Sequence, residues 1–234
     1  MTESLYLLSG GAAQGLVRTL QSAFERSSGL ALQPTFGAVG AMQQLLRDGA
    51  ACDVLILTQA LIAALQTQGL VLPATAHDLG RVKTGVAVKH GAAAPRVDDA
   101  AALRAALLAA SALYFPDPQL ATAGIHVMKV LHALELADTL APRLRPYPNG
   151  NAAMRAMAAC ADQDVIGCTQ VTEILITPGV TLVADLPPAF ELATVYTAAI
   201  CTRASHPEAA RALIASLVSA EHAPLRAQAG FLPV

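Results

Sequence analysis

The chain has 234 residues, of which 54% are hydrophobic and 14% charged, so it can bury a substantial core and is not a disordered protein. Its formal net charge is -2, it lacks Trp, and only 4% of its residues are aromatic. Because nucleic-acid binding needs a basic face or an aromatic stacking surface, these values argue against a nucleic-acid partner. No apolar run is long enough to span a bilayer, so membrane insertion is not expected.

Strand and helix signals alternate along the chain, which is typical of parallel α/β proteins. The predicted strands are, in chain order, LYLLS (5–9), LALQPTF (30–36), CDVLIL (52–57), VKTGVAVKH (82–90), ALYFPDP (112–118), DVIGCTQ (164–170), TLVADLP (181–187) and ATVYTAAICTR (193–203). The segment RLRPYPNGN (143–151) is predicted to be extended.

Helical spacing fills the segments between these strands. The first helix is predicted to bury a face formed by Leu16, Val17, Leu20 and Phe24. Among the later helices, one is predicted to be capped by Thr122 and another by Asn151, and a third carries Pro207 in its first turn.

The two long strands at 82–90 and 193–203 separate two similar strand–helix series. A chain that leaves one α/β lobe, builds a second and returns needs two crossing segments. We therefore predict an α/β fold of two Rossmann-like lobes joined by two crossing strands. Lobe 1 is predicted to contain residues 1–83 and 195–234, and lobe 2 residues 84–194.

Four predicted helix starts consist of small or neutral residues without a basic side chain. They are Ser9-Gly10-Gly11-Ala12, Gly37-Ala38-Val39-Gly40, Thr122-Ala123-Gly124 and Asn149-Gly150-Asn151. In open α/β sheets such turns lie at the carboxyl ends of strands, where a ligand can reach backbone N–H groups and the positive end of the helix dipole. The pattern predicts an anion site in a cleft faced by all four turns. A glycine at any one turn is also explained by steric relief alone.

Five segments resemble, in order and spacing, the molybdate-binding family of type II periplasmic solute-binding proteins. They are SGGAAQGLVRTLQSAFERSSG, FGAVGAMQQLLRDGAACDVLIL, FPDPQLATAGIHVMKVL, IGCTQVTEI and ASHPEAARALIASLVSAEHAPLRAQAGF. The resemblance covers nearly the whole chain. It implies the type II periplasmic-binding-protein fold, a small anionic ligand, an ABC transporter permease as partner and no cofactor.

The resemblance also implies departures in the ligand contacts. The family holds a tetrahedral oxyanion with a Ser hydroxyl in each of the first two turns and with a Tyr near the return. By motif, Ala12 replaces the first Ser, the second falls among Ala38, Val39 and Gly40, and Gln170 replaces the Tyr. Losing three donors argues against molybdate, so we expect an organic carboxylate. The expected ligand contacts are Ser9, Gly10, Gly11, Ala12, Ala38, Val39, Thr122, Ala123, Asn149, Asn151, Thr169 and Gln170.

An isomerase on the same scaffold is the alternative, since aconitate isomerase looks like a member of the same superfamily. Moving a proton between carbons requires a base, and His126 and Asp117 are the candidates. His126 is also explained as a helix residue facing its neighbours, and Asp117 as a turn carboxylate that accepts local N–H bonds.

The remaining signals argue against metal and nucleotide sites, and they leave the cellular location of the protein open. The histidines share no metal-ligand spacing, and no phosphate-binding glycine motif follows a strand, so neither a metal nor a nucleotide cofactor is expected. The four cysteines form no CxxC pair and are expected to be buried apolar residues. The start MTESLYLL lacks signal-peptide features. We expect a cytoplasmic protein as written, or a periplasmic one whose leader was removed in cloning.

Overall fold

The computed structural model describes residues 3–234. The chain forms two compact units, one containing the residues up to Val82 together with Thr194–Val234, the other Lys83–Ala193. It therefore passes from one unit to the other twice. The first passage lies within the long strand β4 (His77–Lys89), and the second at the start of β9 (Ala193–Ile200).

The sheet of the first unit has the strand order β2-β1-β3-β9. β1 (Ser4–Gly10) pairs in parallel with β2 (Ala31–Gly37) on one side and with β3 (Val54–Thr58) on the other. β9 closes this part of the sheet and runs antiparallel to β3.

Each parallel strand of this unit leads into a helix. The helices are α1 (Gln14–Ser28), α2 (Val39–Arg47) and α3 (Gln59–Thr67), and α9 (Pro207–Val218) and α10 (Ala223–Gln228) follow β9. A 3-10 turn, Gly11–Ala13, precedes α1. The predicted apolar face of α1 is confirmed, because Leu16, Val17, Leu20 and Phe24 are its buried residues.

The carboxylate of Asp53 joins three segments of the first unit. Its side chain is 1% exposed. One oxygen accepts a hydrogen bond of 2.8 Å from the Tyr6 N–H, and the other accepts bonds of 2.6 and 3.0 Å from the N–H groups of Ser205 and His206. Because His206 is the N-cap of α9, the buried charge also lies at the positive end of that helix.

In the second unit, β5 (Ala112–Pro116) lies between two parallel neighbours, β6 (Leu144–Tyr147) and β7 (Val165–Gln170). The end of β4 pairs antiparallel with β7 and with β8 (Val180–Asp185). The helices are α4 (Ala100–Ala109), α5 (Thr122–Ala133), α6 (Ala137–Leu140), α7 (Gly150–Ala159) and α8 (Val171–Leu175). Two further 3-10 turns are Ala141–Arg143 and Pro188–Phe190.

Side chains along β5 alternate between two hydrophobic clusters. Leu113 and Phe115 belong to one, and Ala112 and Tyr114 to the other. Since successive side chains of a strand point to opposite faces, the sheet of this unit is covered on both faces, as parallel sheets require.

Each predicted strand is confirmed as a strand, although its end residues differ. Two predicted helix caps are wrong. Thr122 is the first residue of α5, and the preceding Ala121 holds the N-cap position. Asn151 lies inside α7, whose cap is Asn149. Of the helices within residues 3–234, none is long and apolar enough to cross a membrane.

We expect Asp53→Ala to lower the free energy of unfolding by about 2–4 kcal/mol, because it leaves three N–H groups without their acceptor and removes a charge from the start of α9. Urea titration followed by circular dichroism measures the change. Glu221→Ala is the control, since Glu221 is exposed and its loss should alter stability by less than about 0.5 kcal/mol. Equal effects of the two substitutions would contradict the joining role of Asp53.

Candidate functional site

Two helix starts of the first unit are neighbours because of strand register. Gly10, the last residue of β1, lies opposite Gly37, the last residue of β2. The turn at Gly11 and the start of α2 therefore lie at the same end of the sheet. No side chain caps either start, and neither first turn contains an acidic residue. Here the backbone N–H groups lack a side-chain acceptor.

Gly10 is also required by packing inside its own unit. A Cβ at this position would lie 2.9 Å from Val39 Cγ1 and 3.1 Å from a ring carbon of Tyr196. The adjacent Ser9 is fully buried, and its hydroxyl donates a 2.8 Å bond to the Gly10 carbonyl. The Ser9 hydroxyl is thus engaged within the protein, and Ala12, also buried, has no hydroxyl to offer.

In the second unit, α5 also begins without a side-chain cap or an acidic residue in its first turn. Gly124 lets this turn approach the end of β5, since a Cβ there would lie 2.3 Å from the Pro116 carbonyl oxygen and 2.1 Å from that of Asp117. Ala123 is buried in the same turn, and Thr122 is partly exposed.

The two proposed catalytic residues make hydrogen bonds to the main chain. Asp117 Oδ1 accepts bonds of 2.7 and 2.8 Å from the N–H groups of Gln119 and Leu120. His126 Nε2 lies 2.8 Å from the carbonyl oxygen of Phe190. A neutral ring that donates from Nε2 keeps Nδ1 free to accept a proton.

The start of α7 is occupied by a carboxylate from the protein itself. Glu173 is buried and accepts a 2.6 Å bond from the Thr169 hydroxyl, and the nearby backbone N–H groups of Gly150, Asn151 and Gln170 favour its ionised form. A Cβ at Gly150 would lie only 2.0 Å from Glu173 Oε2. The glycine of this turn therefore makes room for an internal anion.

The polar side chains predicted to bind a ligand at this turn make internal bonds. Asn149 accepts a 2.8 Å bond from the Ala152 N–H, and Asn151 donates a 3.0 Å bond to the Thr177 hydroxyl. The Thr169 hydroxyl donates to the Glu173 carboxylate, and the Thr177 hydroxyl donates to the Glu173 carbonyl oxygen. The sequence contains one signal for this arrangement, because Glu173 stands three residues after the N-cap Gln170, the spacing of a capping box.

Burial raises the pKa of the Glu173 carboxyl above its ordinary value of 4.5, and the four surrounding donors reduce that rise without cancelling it. A carboxyl with a raised pKa in the folded state holds its proton more tightly there than in the unfolded chain. Its contribution to stability is therefore present below about pH 4.5 and is lost as the pH rises through the folded-state pKa.

Gln170 differs from its neighbours because its side chain is buried without a partner. It is 3% exposed, and neither its amide oxygen nor its amide nitrogen has a hydrogen bond within the described residues. The hydroxyls of Thr84, its cross-strand partner on β4, and of Thr172 are unpartnered as well. Buried polar groups normally find a partner, so this group marks a place where a ligand or water completes the bonding.

Nearly the whole chain matches a known protein family. A family model described as a bacterial extracellular solute-binding protein covers residues 5–232. The chain belongs to this family. Aconitate isomerase from Pseudomonas sp is 26% identical to this solute-binding protein over 237 residues, which cover 99% of this chain and 88% of the isomerase.

Solved structures share the fold. The periplasmic molybdate-binding protein of Azotobacter vinelandii is 20% identical with a TM-score of 0.79, over 99% of this chain and 100% of the other. The sulfate-binding protein SubI from Mycobacterium tuberculosis H37Rv is 18% identical with a TM-score of 0.75, over 99% and 87% of the two chains. The predicted type II periplasmic-binding-protein fold and the predicted resemblance to molybdate-binding proteins are confirmed.

The structure brings some predicted site residues together within each unit. Gly10 and Ala38 lie at neighbouring helix starts of the first unit, as do Gly11 and Val39. In the second, Gln170 ends β7 beside β5, whose chain leads into α5. Between residues 3 and 234, no three His, Cys, Asp or Glu side chains are grouped closely enough to hold a metal ion.

The raised pKa of Glu173 predicts a pH-dependent difference between the protein and Glu173→Gln, which stays neutral. The stability of the parent relative to this variant should fall as the pH rises from about 4.5, with a slope approaching 1.4 kcal/mol per pH unit at most. Urea titrations of both proteins across this range measure the difference. The exposed Glu221→Gln serves as control. A difference between the parent and Glu173→Gln that stays flat with pH would contradict the assignment.

Proposed function

We propose that this solute-binding protein binds a small organic carboxylate and delivers it to an ABC transporter permease. Family membership supports solute binding, and the molybdate- and sulfate-binding structures that share the fold support an anion as the solute. The proposed contacts are the backbone N–H groups of the uncapped helix starts and the amide of Gln170. We further propose a periplasmic location, where such a solute would be captured.

The unpartnered amide of Gln170 is the observation on which the proposal depends most. An amide offers both a donor and an acceptor. A carboxylate that also bears a hydroxyl or a second, protonated carboxyl would satisfy both. Gln170 ends β7, β7 is the parallel neighbour of β5, and α5 follows β5, so the amide and the uncapped start of α5 belong to the same edge of the second unit's sheet.

The first unit supports an anion without supporting a tetrahedral oxyanion. Its adjacent helix starts offer N–H groups and partial positive charge, as in anion sites at helix N-termini. Their side chains offer little more, because the Ser9 hydroxyl is used internally and Ala12, Ala38 and Val39 have none. A carboxylate, which is planar and accepts fewer bonds than molybdate, needs fewer donors.

A thermal-shift panel of molybdate, sulfate, succinate, malate, citrate and the two aconitates tests the proposal. At about 100 times its dissociation constant, the true ligand should raise the melting temperature by about 5 °C or more. Gln170→Leu should abolish that shift, and it should not destabilise the free protein because it replaces an unpartnered amide with an apolar group. We expect a carboxylate to raise the melting temperature and expect molybdate and sulfate to leave it unchanged.

Gln119→Leu is the matched control, since Gln119 is exposed in the same unit and should leave the ligand-induced shift intact. The proposal is wrong if no carboxylate stabilises the protein, or if Gln170→Leu binds the active carboxylate as tightly as the parent does.

A second function is favoured by the 26% identity to aconitate isomerase over nearly the whole chain. In this version the bound polycarboxylate loses a proton from one carbon and regains it at another. His126 offers Nδ1 as the base when Nε2 bonds to Phe190, and Asp117 is the alternative carboxylate base.

Proton NMR of the protein incubated with trans-aconitate should then show the cis isomer. Replacing the true base, by His126→Ala or Asp117→Asn, should slow conversion at least about 100-fold. His132→Ala, an exposed histidine on the same helix as His126, is the control and should convert at the parental rate. The absence of conversion by the parent, together with unchanged ligand binding in both variants, would eliminate the isomerase.

A further inference from the structure

Two cysteines that are far apart in sequence meet at one edge of the first unit. Cys52 lies just before β3, and Cys201 immediately follows β9. β3 and β9 are antiparallel, with Val54 opposite Ile200, and the Cys201 N–H donates a 3.0 Å bond to the carbonyl oxygen of Asp53. The main chain therefore holds the two cysteine-bearing segments side by side.

The two thiols are in direct contact. Their sulfur atoms lie 3.3 Å apart, and both residues are free cysteines, 7% and 2% exposed respectively. Cys201 donates its S–H to the sulfur of Cys52. A disulfide needs the sulfurs at about 2 Å, so they must approach each other by about 1.3 Å for the bond to form.

A pocket of about 430 Å³ leads to this pair. Cys52 and Cys201 both line the pocket. The other lining residues include glycines and alanines, whose side chains are small, and one cationic residue, Arg203. The pocket lies entirely in the first unit and is separate from the helix starts proposed to bind the anion. A small molecule can therefore approach the buried sulfurs from this side.

We propose that Cys52 and Cys201 are a redox pair that closes to an intramolecular disulfide when a disulfide-bearing oxidant enters this pocket. The thiolate of Cys52 attacks one sulfur of the oxidant RS–SR, its S–S bond breaks, and RS⁻ leaves and takes up a proton. Cys201 then attacks the Cys52 sulfur and displaces the second RS⁻. Two cysteine thiols are oxidised by two electrons, and the oxidant is reduced to two RSH.

Exposure decides which cysteine attacks first. The hydrogen bond to Cys52, more than burial, raises the pKa of the Cys201 thiol, so Cys201 holds its proton more tightly than a free cysteine does. Cys52 is also the more exposed of the two. Extracellular proteins meet oxidising conditions in which such a bond persists, and the family to which this chain belongs is described as extracellular.

The bond would connect positions 149 residues apart in sequence. Closing so long a loop restricts the unfolded chain strongly. Oxidation is therefore expected to raise the melting temperature by about 5–10 °C.

The experiment uses the full chain, fully reduced and then incubated with oxidised glutathione. Remaining thiols are alkylated in acid before cleavage after glutamate. This cleavage leaves Cys52 in fragment 26–135, Cys201 in fragment 192–208, and both Cys160 and Cys168 in fragment 136–173. We expect a cross-linked product of the first two fragments, a loss of two thiols from four, and the rise in melting temperature.

Cys52→Ala and Cys201→Ala should each abolish both the cross-link and the rise, whereas Cys160→Ala should keep both. Should either core variant fail to fold, the fragment map of the parent alone decides. Four thiols remaining after oxidation, a cross-link to fragment 136–173, or a cross-link between two chains would overturn the proposal.

Discussion

Backbone N–H groups at the first turn of a helix need an acceptor, and this constraint organises the protein. At two helix starts the acceptor is a buried carboxylate from elsewhere in the chain. Asp53 accepts N–H bonds at the start of α9. Glu173 is the acceptor at the start of α7 and also in the first turn of its own helix, α8. At the starts of α1, α2 and α5 no side chain takes this place. We assign the external anion to these three helix starts, which have neither a side-chain cap nor an acidic residue in the first turn.

This division explains why the small-residue turns are not equivalent. Gly150 and Gly124 are both required by close approach, but the first faces the Glu173 carboxylate and the second faces the main chain at the end of β5. The Glu173 carboxyl already occupies the start of α7, so that helix start is not open to a second acceptor. The unpartnered amide of Gln170 is neutral, and it can bind a carboxylate without adding charge.

Packing and hydrogen bonding also separate the anion contacts from the cysteine pair. The uncapped turns lie at the carboxyl ends of the parallel strands of the first unit, beyond Gly10 and Gly37. Cys52 precedes β3, and Cys201 follows the antiparallel β9, so both lie at the opposite end of these strands. Chemistry at the thiols can therefore change the stability of the unit without touching the proposed ligand contacts.

The sequence by itself determined the alternation of strands and helices, the apolar face of α1 and the small-residue turns, because these depend on periodicity and on residue size within a few positions. It also carried the resemblance through which the family and the fold were predicted, and both are confirmed. Only the tertiary structure decided which helix starts are occupied by a carboxyl group of the protein itself. Glu173 reaches Gly150, and Cys52 reaches Cys201, through contacts across 23 and 149 positions of the chain. The capping-box spacing marks Glu173 within its own helix, but no local pattern encodes its contact with Gly150 or the contact between the cysteines, because both arise from how distant segments pack.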